Sequence, residues 1–336
     1  MDKSKTRPLT WQQAIQKFDD KSVKEPKFRL PKYPDATAVR VKPEKRTSRS
    51  ERDLIQTEGK IPKGVKRTMR PRGIRTTGFR PAMPEKRNRI TPGVVFFDPL
   101  DDRKPYMDRN YPWRAIGRVD TPAGIGTGFL VGPRHMMTAS HVIKWNGDGN
   151  TGFVQFRAGY NRDFESAGQP LFTMEAFAER VLFFKQVDGS RPIFAKESAW
   201  DFVVCVMDKK IGDELGYFGA IEYDDDWDDE NFWGNAGYPL NPGRTEVPFF
   251  QDKPFCVLDE YDGDDVGDGI LLRAEGDFTE GQSGSPVFAT FNGDIKAIGL
   301  FSGGGTFPEL SDDQGNFLPA GENFVRLIKE ARNNHP

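Results

Sequence analysis

The segment that decides the fold reads Gly281-Gln282-Ser283-Gly284-Ser285-Pro286-Val287. Glycines on both sides of the serine allow a turn that a bulkier residue would not permit, and such a turn exposes a nucleophile. The turn also lets the N–H groups of Gly281 and Ser283 converge on one point, as they do in an oxyanion hole. An ordinary Gly-Ser hairpin loop is the alternative, because short motifs of this kind recur by chance. The segment alone does not distinguish the two.

A serine nucleophile needs a base, and the base needs a buried carboxylate that fixes its tautomer. His141 is the candidate base because it follows two strand-like runs, Gly126–Val131 and Met137–Ser140. A structural histidine is the alternative, since imidazole packs and hydrogen-bonds readily in apolar surroundings. Asp201 is the candidate carboxylate, and it begins the apolar run Phe202–Val206, where an unpaired charge would be costly to bury. The alternative for Asp201 is an aspartate that caps a strand at the surface.

Three segments taken together resemble the signature blocks of trypsin-like serine peptidases, in that family's order of His, Asp and Ser. They are Thr138–His141, Trp200–Val204 and Gly281–Val287. The Gln before Ser283 and the Ser-Pro-Val that closes the segment are similar to the glutamyl endopeptidase branch. The resemblance covers roughly residues 95–332. It implies a chymotrypsin-like, all-β fold of two six-stranded antiparallel β-barrels. Composition and hydrophobic pattern add a C-terminal helix and a largely irregular basic N-terminal extension.

The function that the resemblance implies is a serine endopeptidase, which hydrolyses peptide bonds of a protein or peptide substrate through an acyl-enzyme intermediate. In that mechanism Ser283 attacks the carbonyl, His141 takes the hydroxyl proton and later protonates the leaving amine, and Asp201 orients the imidazole. Gly281 and Ser283 supply the oxyanion hole. The alternative is a catalytically inactive protease fold that serves as a binding module.

The positions that set specificity depart from the glutamyl endopeptidase pattern. That branch places Thr or Ser five residues before the nucleophile and His on the Gly-rich substrate strand, where this chain has Phe278 and Phe301. Phenyl rings cannot pair a carboxylate, so we expect an apolar or small side chain at the cleavage position. A basic residue is the alternative, because Asp277 occupies the place of the Arg/Lys-selecting aspartate of trypsins. The substrate-binding positions that the resemblance implies are Asp277, Phe278, Thr279, Phe301, Ser302, Gly303 and Gly304, and Ser302 also matches a family serine that hydrogen-bonds the triad aspartate.

Short β-type runs separated by turn residues predict an all-β barrel or sandwich in the C-terminal part of the chain. The runs are Ala115–Val119, Gly128–Val131, Phe153–Phe156, Arg180–Phe184, Asp201–Met207, Phe249–Val257, Ile270–Arg273 and Lys296–Phe301. One helix is predicted at Glu322–Arg332, where four apolar residues fall on one face.

Charge divides the chain into two parts. Residues 1–90 contain 26 Lys and Arg against 10 Asp and Glu, whereas residues 91–336 contain 22 against 40, so the parts carry +16 and -18. This asymmetry is consistent with a basic arm for an acidic partner or with an arm that lies on the acidic body of its own chain. Because members of the family that the sequence resembles are commonly made as precursors, we predict that residues 1–93 are a basic propeptide on the acidic body and that residues 94–336 are the protease domain. A zymogen cut is expected between Arg89 and Asp101. Gln282 cannot pair a new terminal ammonium as the trypsin aspartate does, so activation would work differently.

Other partners and cofactors are not indicated. Aromatic residues for base stacking are sparse in the basic tract, so nucleic-acid binding is not predicted. The acidic run Asp224–Glu230 lacks the spaced ligands of a calcium loop and predicts a solvated loop, so no cofactor or metal is expected.

Cysteine use and hydropathy leave the compartment open. Cys205 and Cys256 have no zinc-site spacing, and they could pair or remain reduced. No apolar stretch approaches the roughly 20 residues of a membrane span, so no membrane association is expected. The resemblance implies secretion, although the start of the chain shows no signal-peptide core.

Overall fold

Two curled β-sheets form the framework of the part of the chain that the computed structural model describes. The described residues are 33–45, 53–73, 101–162, 174–240, 246–262, 269–308, 310 and 314–336. Residues Pro34–Pro336 form one compact unit. The boundary predicted near residue 93 stays a prediction.

The described strands, in chain order, are β1 (Thr37–Arg40), β2 (Gln56–Thr57), β3 (Arg103–Pro105), β4 (Ile116–Thr121), β5 (Gly124–Gly132), β6 (His135–Thr138), β7 (Gln155–Ala158), β8 (Met174–Phe183), β9 (Val203–Met207), β10 (Gly219–Ile221), β11 (Gly234–Gly237), β12 (Phe249–Gln251), β13 (Val257–Asp262), β14 (Ile270–Ala274), β15 (Pro286–Phe291), β16 (Asp294–Leu300), β17 (Gly303–Thr306) and β18 (Gln314–Ala320). The α-helices are α1 (Ala195–Ser198), α2 (Gly212–Leu215) and α3 (Gly321–Asn334), and short 3-10 helices cover Trp113–Ala115, Ser140–Val142 and Asp225–Trp227. Each predicted β-run overlaps a strand, and Phe249–Val257 is divided between β12 and β13.

The first sheet closes into a six-stranded antiparallel barrel. Its strands follow the order β8-β7-β4-β5-β6-β9, and the pairing of β8 with β9 completes the ring. All five residues of β9 are buried, as expected for an apolar run in the wall of a small, filled barrel. Strand β1, from the predicted basic extension, adds to β8 in parallel.

The second sheet is curled, with strands in the order β13-β14-β18-β16-β15-β11-β12-β3. Strand β17 pairs with β18, and β10 pairs with both β16 and β2. Among the described strands these pairings do not form a closed ring. The predicted chymotrypsin-like double barrel is confirmed, and strands from residues 33–73 extend both sheets.

The C-terminal helix is longer than its pattern predicted. Helix α3 buries Phe324, Leu327, Ile328 and Ala331 completely, which is the predicted apolar face. It begins at Gly321, whose φ is +81°, and a Cβ there would lie 2.6 Å from the Ile270 side chain. Glycine is therefore needed to start the helix this close to β14.

The described part of the basic extension is held tightly to the body. The N–H of Gly59 donates to Asp294 Oδ2 at 2.8 Å, and a Cβ at Gly59 would lie 2.8 Å from the backbone nitrogen of Gly219. Lys60 pairs with Asp213 at 2.8 Å, and Arg70 pairs with Asp252. Residues 53–73 are thus part of the packed structure, although their sequence shows little apolar patterning.

Both cysteines are buried and unpaired. Burial raises the pKa of the Cys205 thiol, and burial together with a hydrogen bond to Glu275 raises that of Cys256 to about 11. Of the helices described, none is long and apolar enough to cross a membrane.

Candidate active site

The strand pairing of the first barrel brings His141 and Asp201 together. His141 lies in the 3-10 helix Ser140–Val142 that follows β6, and Asp201 lies two residues before the start of β9. Strands β6 and β9 are neighbours, with Thr138 opposite Val203. The loop that contains Ser283 comes from the second sheet and is joined to the first by a hydrogen bond from the Thr127 N–H to the Ser283 carbonyl at 2.8 Å. The candidate site therefore lies where the two sheets meet.

The Asp201 carboxylate is fully buried and holds His141 at two points. Its Oδ1 accepts the His141 backbone N–H at 2.8 Å, and its Oδ2 is 2.5 Å from His141 Nδ1. The hydroxyl of Ser302 donates to the same Oδ2 at 2.6 Å, and Ser198 Oγ is 3.0 Å from Ser302 Oγ. These donors offset the cost of burying the charge. They also fix the imidazole so that Nδ1 faces the carboxylate and Nε2 is left for other chemistry.

The environment of His141 favours the protonated imidazole. Burial alone would lower its pKa, but the charge of Asp201 and the hydrogen bond to it outweigh burial, so the pKa of His141 is raised above 6.5. An imidazole poised in this way can accept a proton and stabilise the resulting cation.

The loop around Ser283 requires glycine at two positions. Gly281 has a φ of +86° and Gly284 a φ of +89°, both in the left-handed region. A Cβ at Gly284 would lie only 2.2 Å from the Thr127 carbonyl oxygen. The N–H of Gly284 donates to the Phe301 carbonyl at 2.7 Å. Ser283 thus lies on a turn that packs against both sheets, and it is only half-buried.

Neighbouring hydrogen bonds fix the direction of the Gly281 N–H. The Leu240 N–H donates to the Glu280 carbonyl at 2.6 Å, and the Thr127 hydroxyl donates to the Gly281 carbonyl at 2.9 Å. Because the peptide unit is planar and trans, the Gly281 N–H points away from the Glu280 carbonyl. Neither it nor the Ser283 N–H donates to another group within the described part of the chain.

Two predicted specificity residues form a stacked pair. The rings of Phe278 and Phe301 lie 4.5 Å apart at 20°, and Phe255 packs edge-on against Phe278 at 5.8 Å. Phe278 is 0% exposed and Phe301 is 1% exposed. The two rings therefore fill the space that they occupy, with no slot between them.

Two other predicted specificity residues face residues 101–103. Asp277 Oδ2 accepts the Asp102 N–H at 3.0 Å, and Thr279 Oγ1 accepts from the Arg103 guanidinium at 2.8 Å. Burial and the charge of Asp277 raise the pKa of Asp102 to about 7. Asp277 is itself buried, so its carboxylate is engaged within the protein.

Gly303 and Gly304 lie on a strand with one unpaired edge. Strand β17 pairs with β18, with Gly303 opposite Phe317 and Gly304 opposite Asn316. No other strand of the described chain pairs with β17. Its outer edge, which begins next to Ser302, can accept a further extended segment.

Sequence reasoning missed several residues that shape the site. Ser198 supports Ser302, Thr127 and Leu240 orient the turn at Gly281, and Arg103 contacts the nucleophile loop. Their partners are distant in sequence, so no local pattern connects them. A cavity of about 600 Å³ also opens beside His141, with Lys144, Trp145 and Asp188 among its walls.

Comparisons with known proteins agree with this architecture. No family model and no curated protein matches the chain. A solved structure of a Glu endopeptidase in complex with MPD is similar, with a TM-score of 0.54 and 20% identity, covering 71% of this chain and 99% of the other. A protease Anisep from Arthrobacter nicotinovorans has a TM-score of 0.48 and 17% identity, covering 66% and 96%. A thermostable serine protease AL20 from an extremophilic microorganism has a TM-score of 0.45 and 16% identity, covering 66% and 97%.

The fold is therefore that of the chymotrypsin-like serine proteases. Within that class, the similar structure with the TM-score of 0.54 is that of the Glu endopeptidase, which agrees with the resemblance found in the sequence. At 20% identity this likeness shows the fold, and the chemistry must be argued from this chain's own residues.

Proposed function

We propose that this protein is a serine endopeptidase in which Ser283, His141 and Asp201 form the catalytic triad. The observation that carries the proposal is the fully buried Asp201 carboxylate, which binds His141 through both its backbone N–H and its Nδ1. A fold has no structural need for a buried charge held in this way beside a glycine-bounded serine turn. A base oriented by a carboxylate is what a serine nucleophile requires.

In the proposed reaction His141 Nε2 removes the proton of the Ser283 hydroxyl as its Oγ attacks the peptide carbonyl. The imidazolium is stabilised by the adjacent Asp201 carboxylate. The negative charge that develops on the carbonyl oxygen is stabilised by the N–H groups of Gly281 and Ser283. His141 then protonates the leaving amine, and a water molecule hydrolyses the acyl-enzyme by the same steps in reverse.

We propose that the peptide binds as an extended strand along the free edge of β17. Backbone groups of Gly303 and Gly304 would pair with the substrate, which gives affinity that does not depend on sequence. Selectivity would come from the stacked pair Phe278–Phe301, because Phe301 lies directly beside the nucleophile turn through its hydrogen bonds to Gly284 and Ser285. A large side chain could enter only by displacing one of these buried rings, which is costly in a packed interior.

A preference for small side chains at the attacked residue follows from this packing. We expect kcat/KM for peptides with Ala or Gly there to exceed that for Phe or Glu by at least about 10-fold. In Phe301→Ala, the ratio of kcat/KM for a bulky apolar residue to that for Ala should rise about 10- to 100-fold, measured on matched fluorogenic peptides. Phe232→Ala is the control, because that ring is 39% exposed. A wild-type preference for bulky or acidic residues would show that the Phe pair is not the wall of the pocket.

We also propose that a maturation cut between Arg89 and Asp101 would leave residues 33–73 attached. Strands β1 and β2 belong to the two sheets, and the pairs Lys60–Asp213 and Arg70–Asp252 place extension cations on body carboxylates. The described part of the basic extension would therefore stay bound to the acidic body after the cut. The exposed ion pairs should weaken as salt is added, whereas the strand pairing should not.

Covalent labelling tests the proposed function. A fluorophosphonate reacts with a serine only when that serine is activated, so mass mapping of the labelled chain should place the adduct on Ser283. Thr290→Val is the matched control, since it removes one exposed hydroxyl from β15 and should label at the wild-type rate. A folded protein that takes no label, or takes it on another serine, would support the inactive binding module instead.

A further inference from the structure

A buried ion pair lies against the loop that carries Ser283. The Arg103 guanidinium donates to both oxygens of Asp101, with Nε–Oδ1 at 2.9 Å and Nη2–Oδ2 at 2.7 Å. Arg103 is 3% exposed and Asp101 is 8% exposed. The remaining Nη1 donates to Thr279 Oγ1 at 2.8 Å and to Gln282 Oε1. Arg103 therefore hydrogen-bonds to the side chain of Gln282, the residue that immediately precedes Ser283.

The contact network continues from Gln282 to the far side of Ser283. Gln282 Nε2 donates to Asn235 Oδ1 at 3.1 Å, and Asn235 Nδ2 donates to Ser285 Oγ and to the Pro286 carbonyl, both at 2.8 Å. The Thr279 N–H also donates to Gln282 Oε1 at 3.1 Å. The side chain of Gln282 is 1% exposed and satisfied at both ends. Residues on both sides of Ser283 are thereby tied to the guanidinium.

General stability does not explain this arrangement. A buried ion pair often stabilises a fold no more than apolar residues of the same volume would. Arg103 also lies on β3, the last strand of the second sheet, where a buried charge is not required for strand pairing. The Arg103 charge does determine the position of Gln282. Arg103 is held by two hydrogen bonds to Asp101, and it donates a charge-assisted hydrogen bond to the Gln282 side chain.

We propose that Arg103 is a positioning residue that orders the Ser283 loop from within the chain, so that the uncut protein is already competent to form an acyl-enzyme. The inference rests on the proposed function. Gln282 carries no charge, so it has no ion pair to offer a newly cut N-terminus. The positive charge reaches the loop from the Arg103 side chain, and Asp101 keeps that side chain in place. Formation of the oxyanion hole then needs no cleavage between residues 74 and 100.

The test compares acylation rates of full-length variants. Wild type, Arg103→Ala, Arg103→Lys and Gln282→Ala are mixed with a fluorophosphonate, and the labelling rate of Ser283 is followed by intact mass, which also shows that the chain is uncut. Wild type in which a site-specific protease sequence replaces part of 90–100 is measured before and after cutting. Arg326→Ala is the control, because it removes a partly exposed arginine paired with Glu322 on helix α3.

We expect uncut and cut wild type to label within about 3-fold of each other. Arg103→Ala and Gln282→Ala should each label about 10- to 100-fold more slowly, with kcat for a peptide reduced and KM nearly unchanged, because the loop acts on the transition state. Arg103→Lys should recover part of the rate, since lysine supplies the charge without the bidentate geometry. The double variant Arg103→Ala/Gln282→Ala should be slowed by less than the product of the two single effects, because both substitutions remove the same Arg103–Gln282 contact.

Each outcome bears on the proposal. Labelling of Arg103→Ala at the wild-type rate, or labelling of wild type only after cutting, would overturn it while leaving the proposed function in place. Absence of labelling in both forms of wild type would overturn the proposed function, and this inference with it. If Arg103→Ala does not fold, Gln282→Ala decides, because it keeps the Asp101–Arg103 pair intact and removes the side chain that connects Arg103 and Asn235 to the loop.

Discussion

Ser283→Ala is expected to lower kcat/KM for a good peptide substrate by about 10⁵- to 10⁶-fold. Removing the hydroxyl leaves no nucleophile for His141 to activate, so the reaction would have to proceed by attack of water. The glycine-bounded turn and its N–H groups would remain, and a residual rate about 10³-fold above the uncatalysed reaction is expected from them. Initial rates with a fluorogenic peptide measure the loss in kcat/KM. The residual rate is measured in the same assay at enzyme concentrations high enough to detect it.

Binding should survive this substitution, which separates lost chemistry from lost structure. KM, or the inhibition constant of a non-cleavable peptide, should change less than about 3-fold, because the β17 edge and the Phe278–Phe301 pair are untouched. Melting temperature should match that of wild type within a degree or two, since the Ser283 side chain is half-buried and makes no hydrogen bond to the described residues. Activity in Ser283→Ala close to the wild-type level would mean that another residue is the nucleophile.

The parts of the fold that follow from local pattern could be predicted from the sequence. Short β-runs with turn residues between them led to the strands of both sheets, and the apolar face at Phe324, Leu327 and Ile328 led to helix α3. Hydrophobic periodicity reports which side of an element is buried, and it is strongest in elements that pack along their whole length. Strand β2 has two residues and carries no period, so nothing local predicted it.

The residues of the candidate site likewise divide into those that could be predicted from the sequence and those that could not. Residue types and order predicted His141 and Asp201 as partners, and the geometry brings them within hydrogen-bonding distance. Sequence order could not show that Asp277 faces Asp102, or that Phe278 and Phe301 stack, because both depend on how distant segments pack. Arg103 and Gln282 are 179 residues apart in the chain, and no spacing rule connects them. Long-range polar contacts of this kind are decided by the tertiary structure.

Asp201→Asn is expected to lower kcat by about 10⁴-fold with little change in KM. An amide presents an N–H where the carboxylate accepted three hydrogen bonds, so it can no longer hold His141 with Nε2 ready to accept the Ser283 proton. The hydrogen bonds that are lost or weakened are those from the His141 backbone N–H, His141 Nδ1 and the Ser302 hydroxyl. Stopped-time assays with one peptide at saturating concentration measure the loss. Ser302→Ala is the matched comparison, because it removes one donor but keeps the charge, and a loss of only about 10-fold is expected from it.

The pH dependence distinguishes the charge of Asp201 from its geometry. Catalysis needs neutral His141, so kcat/KM should fall as pH falls through the pKa of His141, with a midpoint above 6.5 in wild type. In Asp201→Asn the burial of His141 remains but the opposing charge is gone, so the midpoint should move below 6.5. The free energy of unfolding should respond in the opposite direction. Because the pKa of His141 is higher in the folded than in the unfolded protein, His141 stabilises the fold at pH values below its unfolded pKa, and this contribution is lost as pH rises through its folded pKa. An acid midpoint that is the same in both proteins would show that Asp201 does not set the proton affinity of the base.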